Sequence, residues 1–256
     1  MTEIPKGPLP DSMNRLQPVA LRFLSCLLLM VGAHAGAASL QISPVMISLR
    51  AGQGATGITM QNMGEAPVYG QVRVYLWEQK NGDDVLTPTQ EIVASPPIIQ
   101  IAPKTSQIIR LVRRSQQLPP AEQSYRILID EIPHDDGAPS SGVDIRLRYS
   151  VPMFVLPAAE HGAPALAWSV FRKDGNWMLR VRNSGTQRAQ IGALNLGKPD
   201  GQRFEIAQGL FGYVLAGQWR EWRLPTPKEA DLDGTLSVKA NINMQPQTAT
   251  TVDNIE

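Results

Sequence analysis

The segment at residues 143–151, VDIRLRYSV, constrains this chain more than any other. Val143, Ile145, Leu147, Tyr149 and Val151 alternate with Asp144, Arg146, Arg148 and Ser150. A helix would scatter those apolar groups around its circumference, whereas an extended strand gathers them on one face. Directly upstream, residues 133–142 (PHDDGAPSSG) hold no apolar side chain larger than Ala or Pro. A polar loop feeding a long alternating strand suits a segment that pairs with a foreign chain. An ordinary sandwich strand facing its own core has the same pattern. One strand can also do both, with some apolar residues internal and others exposed.

The rest of the chain reads the same way. Proline reaches 21 of 256 residues, about 8% against an ordinary usage of about 5%, which argues against a helical bundle. Residues 39–49 alternate imperfectly around Pro44, as an edge strand can. Strands are expected at 56–63 and at 68–79, where Val72, Val74 and Leu76 share a face, and then at 98–101, 107–112, 125–132 and 143–155. Asn81-Gly82-Asp83-Asp84 is a turn signal, Ser95-Pro96-Pro97 breaks regular structure, and Ala102-Pro103-Lys104 turns again. Short strands with turns every ten residues or so suggest a Greek-key sandwich. Residues 157–165 (PAAEHGAPA) lack apolar periodicity and place a linker at 158–165. A second β series follows at 166–172, 177–183, 187–196, 209–216, 218–224 and 235–243, with Asp174-Gly175 as a tight hairpin signal. The expected fold is all-β, with two immunoglobulin-like sandwiches at 38–157 and 166–247. The polar, Thr-rich end from Gln245 is expected to fray, with a flexible tail at 248–256.

Residues 1–37 do not belong to that fold. Arg15 and Arg22 precede a mostly apolar run at 23–31 (FLSCLLLMV), followed by small residues at 32–38 (GAHAGAA). This is the pattern of a secretory signal peptide, cleaved after Ala37 or Ala35. The run is shorter than the roughly 20 apolar residues that cross a bilayer. Residues before Met13 read as an upstream mis-start. Cys26 as a lipidation site fits poorly, because most of the apolar run lies after it. The leader removes Lys6, Arg15 and Arg22 together with Glu3 and Asp11. From 24 basic and 23 acidic residues, that leaves 21 of each. It also removes the single cysteine, so the mature chain has no disulfide and relies on packing alone.

A neutral mature chain lacks the electrostatic footprint of a nucleic-acid binder. Enzyme chemistry is poorly provided for. Of three histidines only His134 and His161 survive cleavage, one in the polar loop and one in the linker, with no thiol nucleophile. No metal-ligand spacing and no phosphate-binding glycine loop is present. Asp135-Asp136 reads better as a solvated acidic turn than as a cation site. Trp168, Trp177, Trp219 and Trp222 read as second-sandwich core and rim rather than as a sugar platform. No cofactor is expected.

The order of motifs resembles the periplasmic chaperones of the chaperone–usher pilus pathway, over nearly all of the mature chain. Ala94-Ser95-Pro96-Pro97 matches a strand ending in an Ala-Thr-Pro-Pro-like segment, and Ile108-Ile109-Arg110-Leu111 matches a strand with a central Arg. Asp130-Glu131-Ile132-Pro133 matches an apolar strand closing in Glu-Ile-Pro, and residues 143–157 match the alternating strand that ends in an aliphatic-aromatic run and Pro. Residues 209–217 (GLFGYVLAG) resemble the second domain of the archaic branch in particular. The resemblance implies an L- or boomerang-shaped pair of sandwiches. It implies a non-enzymatic, ATP-independent chaperone that lends a strand to incomplete pilus, fimbrial or coat-like subunits and hands them to an outer-membrane usher. The donor side chains are then Val143, Ile145 and Leu147, with Tyr149 beside them.

The resemblance also marks a departure. The better-known branch clamps the subunit's C-terminal carboxylate with an Arg and a Lys at positions that here are Pro44 and Pro152, which cannot donate hydrogen bonds. An anchor must then come from elsewhere around the interdomain cleft. Arg126 is the first choice, followed by Arg148 and Arg110, because a guanidinium fork matches a carboxylate. Each of these has a bland alternative as a solvated or internally paired arginine, and Arg110 also reads as a structural pairing that fixes the domain angle. Ser95, Pro96 and Pro97 read either as a cis-proline turn or, by the resemblance, as a docking surface for the usher. The rival class is a structural fimbrial or coat subunit, or a carbohydrate-binding adhesin. The second complete β series disfavours it.

Overall fold

A computed structural model describes residues 40–50, 52–132, 146–158, 162–227 and 229–252. Among these residues there are eighteen strands and no helix, as the alternation and turn spacing require. The leader with Cys26, the acidic turn, the donor positions Val143 and Ile145, and His161 lie outside the described residues.

The first sandwich packs two sheets. One has four strands in the order β1 (Leu40–Ser43), β3 (Ala55–Asn62), β8 (Ser106–Arg113), β6 (Ile92–Ser95). The other runs β2 (Ile47–Leu49), β10 (Arg148–Val155), β9 (Gln123–Glu131), β4 (Val68–Lys80), β5 (Asp83–Pro88), with β7 (Ile98–Ile101) also paired to β4. Period two places Val72, Val74 and Leu76 of β4 on the core face, against Ile58, Met60, Ile109, Ile127 and Ile129. Trp77 and Gln79 of the same strand face the other way and are nonetheless buried, by the second sandwich.

The expected edge strand at 39–49 is two strands in two sheets. β1 lies antiparallel to β3, and β2 lies parallel to β10. Pro44, preceded by a cis peptide bond, sits between them. Its missing N–H interrupts the ladder where the chain crosses from one sheet to the other. The turn signal at Asn81-Gly82 closes the β4–β5 hairpin, with φ of 54° and 84°.

The second sandwich has a three-stranded sheet, β11 (Leu166–Lys173), β12 (Asn176–Asn183), β16 (Trp219–Arg223). Facing it is a sheet in the order β14 (Arg203–Ala207), β13 (Ala189–Gly197), β17 (Ser237–Ile242), β18 (Gln245–Thr250), with β15 (Gly212–Val214) on β13. Asp174-Gly175 forms the expected hairpin between β11 and β12. Trp168 and Trp177 are core, while Trp219 and Trp222 are half-buried.

The polar end departs from expectation. Instead of fraying, β18 pairs with β17 along all six of its residues, and Thr251 bridges to Trp168. The expected boundary at 247 therefore falls inside a strand. Ladder hydrogen bonds use only backbone, and threonine suits the pleat, so an edge strand needs no apolar run.

Candidate functional site

β10 changes character along its length. Leu147 O accepts a hydrogen bond from Glu131 N–H at 3.1 Å, which makes Leu147–Glu131 a hydrogen-bonded pair across β10 and β9. By alternation the backbone groups of Tyr149, Val151, Met153 and Val155 also point at β9, and those of Arg148, Ser150, Pro152 and Phe154 point away from it. On that far side β2 covers only Met153–Val155. The edge from Arg148 to Pro152 has no neighbouring strand among the described residues. Pro152 sits where its missing N–H would have faced this edge, which is where a strand proline costs least.

The side chains follow the same gradient. Val151, Met153 and Val155 are buried in the first core, whereas Tyr149 and Leu147 are half-buried. The Tyr149 hydroxyl donates to Leu40 O at 3.3 Å. Burial raises its pKa above the ordinary tyrosine value, helped by Glu131. Of the four expected donor side chains, the structure describes these two. Both stand where the strand leaves its own core.

Arg148 opens β10 with an exposed side chain paired to Asp130, and Asp130 also accepts from Arg73 at 2.6 Å. Desolvation works to raise the Asp130 pKa, but the hydrogen bonds from Arg73 and Arg148 outweigh it and hold the carboxyl below its usual value. Arg110 is elsewhere. It is exposed on β8 of the four-stranded sheet, opposite Gly57 and Ser95. Ser95 and Pro97 are exposed, and the Ser95–Pro96 bond is cis. Pro97 O accepts from Val72 N–H at 2.8 Å, which ties the turn to β4.

The outer face of the six-stranded sheet meets the second sandwich through Trp77, Phe154, Leu215 and Tyr213. The Trp77 and Tyr213 rings stand edge-on at 5.4 Å. Two arginines lie on these rings. Arg188, just before β13, stacks 3.6 Å over Phe154. It is paired with Glu122 through Nη1 to Oε2 at 2.6 Å, while its backbone N–H donates to Oε1 at 3.1 Å. The Glu122 side chain is fully buried. Desolvation raises its pKa, and Arg188 only partly offsets that. Gln79 adds a peptide-like bridge, donating to Tyr213 O at 2.8 Å and accepting from Leu215 N–H at 3.0 Å. None of these partners is close in sequence, so reading the chain locally offered no signal for the Glu122–Arg188 pair.

The second arginine is Arg126, on β9 beside Pro152. It lies 3.7 Å over Trp77 and 5.6 Å from Tyr213. Burial lowers its pKa from the ordinary arginine value, and Asp84 acts against that. An arginine stays a cation regardless. Arg126 makes no hydrogen bond or ion pair among the described residues, and it lines a cleft of about 610 Å³ between the sandwiches. Across the cleft Arg220 is neutralised by Asp84, which also accepts from Trp77 Nε1 at 2.9 Å and Gln79 Nε2 at 3.1 Å. Trp222 lies against the backbone of Gly212, where a Cβ would come within 2.9 Å of the ring. Of the three expected anchor arginines, only Arg126 is in the cleft.

The first sandwich thus has a strand-switching first strand and a partly open last strand, and an aromatic junction joins it to the second. Residues 39–160 match the family described as pili and flagellar-assembly chaperone, PapD N-terminal domain. The match spans the first sandwich, which is therefore a domain of this family. No curated protein matches the sequence. Among solved structures, a chain of the CsuC–CsuE chaperone–tip adhesion subunit pre-assembly complex, from archaic chaperone–usher Csu pili of Acinetobacter baumannii, superposes with a TM-score of 0.68. It shares 24% identity over 85% of this chain and 100% of that one. The YadV chaperone gives 0.60 at 18% identity, over 83% of this chain and all of that one. The Salmonella enterica SafA pilin–SafB chaperone complex gives 0.56 at 15%, over 85% and 96%.

Proposed function

We propose that this protein works in the periplasm as an ATP-independent, non-enzymatic chaperone that binds and folds pilus or coat-like subunits by donor-strand complementation and delivers them to an outer-membrane usher. The observation that carries this reading is the unpaired edge of β10 at Arg148–Pro152, with Leu147 and Tyr149 beside it only half-buried. An incomplete sandwich that paired with this edge would gain ladder hydrogen bonds and could take up Val143, Ile145, Leu147 and part of Tyr149. Full burial is worth about 1.5–3 kcal/mol per side chain before ordering costs. An exposed ion pair gives about 0–1 kcal/mol. Apolar insertion therefore supplies affinity and charge sets register. Arg126, held on Trp77 with its fork unpaired, is the anchor for the subunit's C-terminal carboxylate, and the Ser95-Pro96-Pro97 turn, exposed at Ser95 and Pro97, is the usher-docking surface.

The test is capture. Ile145→Asp and Leu147→Asp, each co-expressed with a cognate subunit, are expected to abolish co-purification while leaving the melting curve of the free protein in place. Subunit capture that survives both changes overturns the assignment.

A further inference from the structure

Four large apolar side chains stand exposed around the cleft that holds Arg126. Val45 (76% exposed) and Met46 (37%) come from the crossover between β1 and β2, and Leu210 (59%) and Met244 (85%) from loops of the second sandwich. Scattered exposed apolar residues need no explanation, but four that converge on one cavity mark a binding surface.

Met244 adds a separate observation. β17 and β18 are joined by a two-residue turn, Asn243-Met244, with Ile242 opposite Gln245. Both turn residues have positive φ, 50° and 67°. Asn-Gly is the sequence that suits such a turn. Asparagine tolerates this region, whereas a methionine there is strained. The chain thus carries backbone strain at a position where its side chain gains almost no burial within the molecule. Strain of this kind persists where the residue has a use.

We infer that the second sandwich reads the last side chain of the captured polypeptide: Met244 and Leu210, facing Val45 and Met46, form an apolar cup that selects a large aliphatic or aromatic C-terminal residue. This deepens the carboxylate reading of Arg126 and rests on it. Arg220 is already matched by Asp84, so the cleft offers one unmatched positive charge inside an apolar rim. That pattern complements one carboxylate carrying a greasy substituent. Donor-strand pairing along β10 supplies affinity without regard to the partner's last residue, and the cup supplies the selection.

The experiment uses the mature protein and four small probes: N-acetyl-glycyl-leucine, N-acetyl-glycyl-glycine, and the C-terminal amide of each. Binding is read from the indole N–H resonances of Trp77 and Trp222, which line the cleft. The leucine acid is expected to bind about tenfold more tightly than the glycine acid, the scale of one partly buried aliphatic side chain. Met244→Gly is expected to shrink that preference to about two- to threefold, leave the glycine acid unchanged, and raise the melting temperature by about 2–4 °C through relief of strain. Leu210→Ala is expected to reduce the preference without the thermal gain. A wild-type protein with no leucine preference, or a Met244→Gly variant that keeps it in full, overturns the inference. Equal binding of acids and amides instead brings down the role of Arg126 alone, and the cup is then read in the leucine and glycine amides.

Discussion

The two ends of β10 obey one sequence pattern and meet opposite fates. At Met153–Val155 the strand is paired on both sides, its odd residues fill the first core, and Phe154 lies under Arg188. At Arg148–Pro152 it is paired on one side only, and Pro152 lies beside Arg126. Each end has a guanidinium on an aromatic ring. Arg188 has a fully buried carboxylate to match it, and Arg126 has none. The comparison teaches that a stacked arginine is structural or available according to the acid placed with it, since the rings that orient both belong to one cluster.

The contrast is sharpest in stability. Arg188→Ala strands Glu122 as a buried charge and is expected to cost about 3–5 kcal/mol in urea unfolding. Arg126→Ala leaves no carboxylate stranded and is expected to change stability by less than about 1 kcal/mol while weakening subunit capture. Equal losses would erase the distinction and make Arg126 a second structural clasp. Along the strand itself, Met153→Ala is expected to cost about 2–5 kcal/mol through an unfilled core space. Leu147→Ala should stay below about 1 kcal/mol. A large loss at Leu147 would mean that it already belongs to its own core.

The smallest effect expected is in pH dependence. Glu122 holds its proton more tightly when folded, because burial raises its pKa above the ordinary 4.5. Its contribution therefore declines as pH rises from 4.5 through the raised value. Asp130 has the opposite sign. Its pKa is held below 3.8, so its contribution is present above that value and fades as pH falls through the lowered one. Urea midpoints measured from pH 3 to pH 8 should show both slopes, and Glu122→Gln should flatten only the upper one. A Glu122→Gln profile that matched the parent would show that the junction carboxylate does not titrate differently on folding.

Much of the fold was legible because core strands carry their instructions in period-two apolar runs, as in Val72, Val74 and Leu76. The Asn81-Gly82 and Asp174-Gly175 turns were legible for a related reason, since positive φ narrows the choice of residue. Edge strands were harder to read. β5 (DDVLTP) and β18 (QPQTAT) are held by backbone hydrogen bonds and show little apolar alternation, and β14 (RFEIA) alternates over only five residues. Within the site, Arg126 could be singled out because the resemblance sets Pro44 and Pro152 where it leads one to expect an arginine and a lysine. Arg188 could not, because its meaning depends on Glu122, 66 residues away. The cup was equally invisible, since nothing in the sequence brings Val45 and Met244 to one cavity.

The short parallel contact of β2 with β10 has a mechanical consequence. Because Ile47 occupies the flank of Met153, any strand added to the open edge would meet a doorstop just past Pro152. On the proposed reading, the length of the loan would thus be written into the host, and a guest would be seated to a fixed depth however long its own groove extends.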